Sequence, residues 1–318
     1  MPGTPLPRVL VFCRLSPATR ADLSARYCLL DGHASPLPLD AFLASVAAMD
    51  DPPRLALVPG YGNVIVNAGF LDAVPSLRCV VTDSSSVSHF DLPECARRGI
   101  AVANAAGVYS PDVADHAVGL LLEVLRRANS RLSRKRVGIL GLGSIGAAVA
   151  RRLTGFGCEV SYSSRRPKDG VPYGYFPTAR DLAAHSDVLV VACVLNSETK
   201  HIVDGAVLDA LGKGGVLVNV ARGANVDEAA LVRALVEGRL AGAGLDVLED
   251  EPKVPAELMG MDNVVITPHQ AAFTPESIVD LQNLLVGNLV AFFAGEPMLT
   301  PVALSAKLEP SSPASTLA

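Results

Sequence analysis

Residues 137–153 read VGILGLGSIGAAVARRL, an apolar strand that ends in GxGxxG and opens directly into a helix-forming run. Few architectures accept that junction. Gly141 permits a tight turn, Gly143 lets backbone approach a bound anion, and Gly146 lets the helix sit close to the strand. The N–H groups that start the helix then face a phosphate. We therefore read Gly141, Leu142, Gly143, Ser144, Ile145 and Gly146 as the pyrophosphate-binding turn of a dinucleotide site. An ordinary βα turn could share the motif, but the strand before it, the helix after it and a further strand at 159–162 favour the nucleotide site.

The rest of the chain repeats the same rhythm. Short apolar runs at 9–12, 55–58, 79–82 and 100–103 alternate with helix candidates at 17–26, 66–73 and 92–98. From Arg136 a second series follows, with strands at 137–140, 159–162, 188–192, 216–220, 242–246 and 264–267, and helices such as 147–153 and 229–237 between them. Strand–helix–strand alternation predicts parallel βαβ units. A longer amphipathic helix is expected at 112–127, with Val113, Ala117, Leu120, Leu121 and Val124 on one face. Asp112 and Asp115 open it and Arg126 and Arg127 close it, as the helix dipole favours.

At 318 residues the chain has room for about two domains of ~150 residues. The expected fold is α/β: two doubly wound parallel-sheet domains of Rossmann or flavodoxin type, with a cleft between them. Residues 1–103 with 275–318 are expected to form a substrate domain, and 104–274 the dinucleotide-binding Rossmann domain. The helices at 112–127 and 275–293 would cross between the two. The Ser/Pro/Ala-rich stretch 309–318 is expected to pack against nothing.

Composition narrows the function. Half of the residues are hydrophobic and 19% are charged, enough apolar surface for a sizeable core. A formal net charge of −5 argues against nucleic acid as a partner, which would need a basic face. No apolar run reaches the ~18 residues of a membrane span, and residues 1–14 lack a secretory signal layout. Six cysteines at 13, 28, 79, 95, 158 and 193 form no CxxC pair and no metal-ligand spacing. We expect buried thiols in a reducing, cytoplasmic setting, and no bound metal.

The end of the strand at 159–162 bears on cofactor type. An acidic residue there would hold a ribose 2′-hydroxyl. This chain instead has Ser164-Arg165-Arg166-Pro167-Lys168, with no acid before Asp169. Guanidinium groups suit a 2′-phosphate, so NADP(H) is preferred, with NAD(H) possible. The bland reading of the same residues is a solvated basic loop.

Three segments join the glycine turn: 218–228, VNVARGANVDE; 244–252, GLDVLEDEP; and 267–274, TPHQAAFT. Taken together they resemble the D-isomer-specific 2-hydroxyacid dehydrogenase family, and within it the glyoxylate/hydroxypyruvate and hydroxyphenylpyruvate reductases. The likeness runs from about Leu55 to Val302. It implies that Arg222 binds the substrate, that Glu251 and His269 form the acid–base pair, and that Leu142 to Ile145, Ser164 to Arg166, Val220 and Asp246 contact the cofactor. The residues agree independently. Each segment follows a predicted strand and so lies at the carboxyl edge of a sheet, where open α/β folds bind ligands. An arginine can fork across two oxygens of a 2-keto acid, histidine titrates near neutral pH, and a carboxylate beside it favours and orients the imidazolium. His33, His89, His116, His185 and His201 are read as structural, and Cys193 as core.

Two features depart from the family pattern. The substrate loop, whose backbone N–H groups the resemblance assigns to the substrate carboxylate, matches Ser84, Ser85 and Ser86, with Ser86 where glycine is usual. A φ above zero there would cost serine about 1 kcal/mol. The connection between the long helix and the glycine-turn strand is only Ala128–Lys135, where relatives carry a longer, Trp-containing segment that helps form a homodimer; this chain has no Trp. A weakened dimer is expected. These departures keep open a second reading, a cofactor-sensing protein of the same fold with weak or no turnover. A formate dehydrogenase, whose histidine pairs with Gln, is disfavoured by Glu251.

Overall fold

The computed structural model describes residues 5–60 and 64–304. The stretch 309–318 and part of the 59–63 loop lie outside the described residues. The chain divides into two compact units, one of 1–108 with 278–318 and one of 109–277.

The first unit is built on a five-stranded, all-parallel sheet. Its strands are β1 (Arg8–Val11), β2 (Cys28–Asp31), β3 (Leu55–Val58), β4 (Cys79–Thr82) and β5 (Ala101–Ala103), in the order β2-β1-β3-β4-β5. Helices α1 (Pro17–Arg26), α2 (Leu39–Ala47), α3 (Ala68–Ala73) and α4 (Leu92–Arg98) connect them. β3 and β4 are buried along their whole length, because a parallel sheet is covered on both faces. One face packs Leu10, Ala56, Val80 and Val102 against Leu43, Phe70 and Leu71. The other packs Val9, Leu57 and Val81 against Leu23, Leu285 and Leu289. The last two belong to the twenty-residue helix α10 (Pro275–Ala294), which by length and composition alone is apolar enough to cross a membrane.

The second unit has seven parallel strands: β6 (Arg136–Leu140), β7 (Glu159–Ser163), β8 (Gly174–Phe176), β9 (Val188–Val191), β10 (Val216–Asn219), β11 (Gly242–Leu245) and β12 (Val264–Ile266). Their order is β12-β11-β10-β9-β6-β7-β8. The order reverses beside β6, the point at which doubly wound sheets open a ligand crevice. Helices α5 (Ser110–Arg127) and α6 (Ser144–Gly155) cover one face, and α7 (Ala179–Ala184), α8 (Gly205–Leu211) and α9 (Glu228–Val236) the other.

The short connection at 128–135 is cleanly closed. Asn129 takes a left-handed φ of 50° after α5, its N–H bonds Arg126 O at 3.1 Å, and Ser130 N–H bonds Leu125 O at 2.8 Å. That is a Schellman stop with asparagine in the usual glycine place. Leu132 then sinks into the core at 5% exposure, and Arg134 N–H bonds Gly157 O at 3.0 Å. The sequence reading places no strand at 28–31 or 174–176 and no helix at 39–47; all three are present.

Candidate active site

The glycine turn forms as its residues require. Gly141 has a φ of 99°, which any side chain would oppose, and a Cβ there would lie 2.6 Å from the Cys193 Cα. At Gly146 a Cβ would lie 2.0 Å from the Gly141 carbonyl oxygen, so only glycine lets α6 start this close to β6. Nothing stands within 4 Å of where a Gly143 Cβ would be, and Gly143, the N-cap of α6, provides no side-chain cap. The start of this twelve-residue helix therefore offers backbone donors and its dipole to an anion, as a pyrophosphate needs. Burial pushes the neighbouring, partly buried Cys193 thiol up to about 11, so it is protonated at neutral pH.

At the end of β7 the basic loop is framed by two tyrosines. Tyr162 Oη accepts the Lys168 N–H at 2.7 Å, and Tyr175 Oη donates to the Ser164 carbonyl at 3.3 Å. Ser164 Oγ donates to the Arg166 carbonyl at 2.6 Å. Residues Ser164 to Lys168 line a hollow of about 530 Å³, with Arg165, Arg166 and Lys168 exposed and no carboxylate among them. Cations so exposed are chemically able to pair with a phosphate group.

Beyond β10 the chain turns sharply at Arg222, and two buried asparagines make that turn. Asn219 Oδ1 accepts the Ala221 N–H at 3.1 Å and its Nδ2 donates to the Arg222 carbonyl at 3.0 Å. Asn225 Oδ1 accepts the Arg222 N–H at 3.1 Å. The guanidinium, half-buried, donates to the Ala221 carbonyl at 2.6 Å, and Val220 is buried just before it.

Glu251 follows β11 and His269 follows β12, and the two side chains meet. His269 Nδ1 lies 2.8 Å from Glu251 Oε2, while Glu251 Oε1 accepts the Leu248 N–H at 3.0 Å. A pocket of about 220 Å³ opens beside the pair, lined by Leu248, Pro252, Val254 and Pro268 among others. His269 takes a left-handed φ of 51°, held by its N–H on the Asp246 carbonyl at 2.8 Å.

Asp246 governs this loop. Its side chain is 2% exposed; Oδ1 accepts the Thr267 hydroxyl at 2.6 Å and the Gln270 N–H at 2.9 Å, and Oδ2 accepts the Ala271 N–H at 3.1 Å. Burial alone would raise its carboxyl, but the bonds from His116, Thr267, Gln270 and Ala271 outweigh burial and hold it below the ordinary value. Because the Thr267 hydroxyl donates to Asp246, His116 Nε2, 2.9 Å from that oxygen, is the donor to it. His116 is thus tied to the site through Asp246, a link its sequence position in mid-helix does not reveal.

In the first unit, Ser84 is buried at the end of β4 and its carbonyl accepts the Ala105 N–H at 2.9 Å; Asn104 Nδ2 donates to the Ser85 carbonyl at 2.8 Å. The Ser86 N–H donates to Ser84 Oγ at 3.1 Å. Ser86 is not among the described non-glycine residues with positive φ, so the strain expected at this position does not arise. Asp83, which carries no sequence signal, accepts the Gly60 N–H at 2.6 Å and so anchors the neighbouring loop. Burial pushes its carboxyl up.

Comparison with known proteins agrees with this geometry. Residues 119–271 match the D-isomer specific 2-hydroxyacid dehydrogenase, NAD binding domain family. A glyoxylate/hydroxypyruvate reductase of Arabidopsis thaliana is 47% identical over 263 aligned residues, covering 76% of this chain and 81% of that protein. A hydroxyphenylpyruvate reductase of Plectranthus scutellarioides is 44% identical over 313, covering 92% and 98%. That aligned span exceeds the share of this chain it draws on, so the relative has residues this chain lacks. Among solved structures, an NADPH-dependent glyoxylate/hydroxypyruvate reductase of Sinorhizobium meliloti, crystallised with NADP and malonate, superposes with a TM-score of 0.80 at 35% identity, covering 96% of this chain and 99% of that one. With two parallel-sheet units, a glycine turn at the switch point and near-full-length identity of this order, the chain belongs to the D-isomer-specific 2-hydroxyacid dehydrogenase family.

Proposed function

We propose that this protein reduces a small 2-keto acid, of the glyoxylate, hydroxypyruvate or 4-hydroxyphenylpyruvate kind, to the D-2-hydroxy acid with NADPH in preference to NADH. The observation that carries the reading is the 2.8 Å contact between His269 and Glu251, one strand over from the Arg222 turn. When bound, the nicotinamide cofactor supplies the hydride that goes to the keto carbon. Gly141 to Gly146 would hold its pyrophosphate, Ser164 to Arg166 its 2′-phosphate, and Val220 and Asp246 would lie against the nicotinamide end.

The protein's own residues do the rest. Arg222 forks across a carboxylate oxygen and the keto oxygen and opposes the charge that develops on the latter. His269 gives a proton from Nε2 to that oxygen as it becomes a hydroxyl. Glu251, on Nδ1, fixes the orientation of the ring for the transfer. An assay of NADPH oxidation against the three keto acids tests the reading directly, with turnover expected on at least one. Tight NADPH binding without turnover on any would favour the cofactor-sensing alternative.

The cofactor assignment predicts tighter binding of NADPH than of NADH. Arg165→Ala should narrow that gap by roughly 1–3 kcal/mol through lost charge-assisted bonds. Equal wild-type affinities in a titration would reject it.

We also infer a weakened homodimer. The Schellman stop and the buried Leu132 close 128–135, without the longer segment that the family resemblance implies for a dimer interface. Obligate dimers commonly bury roughly 2,000 Å² or more, and a lost segment removes part of that area. Light scattering at micromolar concentration should find monomer or a dissociating dimer, and a persistent tight dimer would refute the inference.

A further inference from the structure

We propose that His201 is a positioning residue for the reaction, joining the turn that carries Arg222 to the turn that carries Glu251. The proposal rests on the roles given above to those two residues, and it concerns a histidine that no motif singles out.

His201 sits between β9 and α8 in a left-handed conformation, φ 53°. That backbone sends its N–H to the Ala224 carbonyl at 2.8 Å, inside the arginine turn. Its ring points to the other turn, where Nε2 lies 2.7 Å from Glu249 Oε1. One residue thereby bonds both segments. Around it the connection is reinforced: Asn225, whose Oδ1 shapes the arginine turn, donates from Nδ2 to the Thr199 carbonyl at 3.1 Å, and Val203 N–H returns to the Asn225 carbonyl at 3.1 Å.

The Glu249 side is equally constrained. Its N–H donates to Glu228 Oε2 at 2.9 Å, and the preceding Leu248 N–H donates to Glu251 Oε1 at 3.0 Å. Gly223 shows how tightly the two turns press together, since a Cβ there would lie 1.9 Å from the Leu248 carbonyl oxygen and 2.3 Å from the Glu249 nitrogen. The 248–249 peptide is thus packed on the arginine turn and bonded through the Glu249 N–H to Glu228, while the adjoining 247–248 peptide bonds the Glu251 carboxylate through the Leu248 N–H. Movement of Glu249 would be passed to Glu251 and from there to the His269 ring. The ring of His201 holds the Glu249 side chain, while Glu228 holds its backbone N–H.

The test separates ring from backbone. His201→Gly keeps the left-handed conformation at no steric cost, and with it the bond to Ala224, but deletes the ring. Glu249→Ala deletes the ring's partner, and Glu249→Gln keeps an oxygen that can accept from Nε2. His201→Gly and Glu249→Ala should each lower kcat about 3–10-fold, the worth of one such hydrogen bond, with NADPH affinity unchanged. The double variant should be no worse than the poorer single, and Glu249→Gln should retain most of the rate. Hydrogen exchange provides an arm that needs no substrate: amides of 247–251 should exchange faster in His201→Gly and Glu249→Ala. Native protection of that segment in His201→Gly overturns the proposal, as do losses that multiply in the double variant. If wild-type protein reduces no 2-keto acid, the functional reading fails while the exchange arm still decides whether His201 holds the turn.

Discussion

Replacing His269 with alanine should lower kcat by roughly 10²–10⁴-fold while leaving the affinity for NADPH close to that of the wild type. The expectation follows from the division of labour along the sheet edge. In the proposed function the glycine turn and the basic loop after β7 hold the dinucleotide, with atoms remote from β12, so removal of the imidazole would subtract only the proton donor. Water must then protonate the keto oxygen, without the preset geometry that Glu251 imposes at 2.8 Å. Glu251→Gln should fall between wild type and His269→Ala, because the amide oxygen can still accept from Nδ1 and orient the ring but through a neutral, weaker hydrogen bond than the carboxylate makes. Stopped-flow mixing with NADPH and a keto acid separates cofactor binding from hydride transfer. An unchanged rate in His269→Ala would remove the histidine from the chemistry and leave Arg222 as the sole candidate.

How far these conclusions were legible in the sequence differs by kind of contact. The glycine turn is legible because each of its glycines answers a local demand, confirmed by φ at Gly141 and by the missing room at Gly146. That Arg222, Glu251 and His269 each follow a strand is legible because β10, β11 and β12 are short runs without a charged residue, each preceding its segment. β2 and β8 are missed for the opposite reason. They are edge strands of four and three residues, partly exposed and paired on one side only; in β2 the apolar run Cys28 to Leu30 stops at Asp31, and β8 has only Tyr175 and Phe176 after Gly174, too short to mark a strand by periodicity. Long-range pairings are also invisible from spacing. His116 and Asp246 are 130 positions apart in the chain, and nothing at either position announces the other. Serine at 86 suggested strain only on the assumption that its backbone matched a glycine's; the loop instead turns with ordinary φ and satisfies Ser86 N–H with Ser84 Oγ.

Asp246→Ala should have the largest effect on stability of any single change near the site. The substitution leaves the Gln270 and Ala271 N–H groups and the Thr267 hydroxyl without their common acceptor in a place that is 2% exposed, and removes the carboxylate beside His116. Stranding partners of a buried charge costs about 3–5 kcal/mol, which for a unit of this size lowers Tm on the order of 10 °C. Catalysis should suffer too, since the same carboxylate fixes the residues that follow His269. Asp246→Asn tests the charge apart from the shape, because its amide can accept through one oxygen only and turns a donor toward one of the N–H groups. The sign of the pH effect is set by the lowered carboxyl. A carboxylate whose folded pKa lies below its unfolded value stabilises the fold at and above the ordinary range near ~3.9, and that stabilisation is lost as pH falls through the folded pKa. Thermal melts should therefore show the wild type far above Asp246→Asn at neutral pH, with the gap closing only below about pH 4. A gap that stayed constant down to strongly acidic pH would mean that the hydrogen bonds to Asp246 do not depend on its charge, and that the loop carrying His269 is held by packing instead.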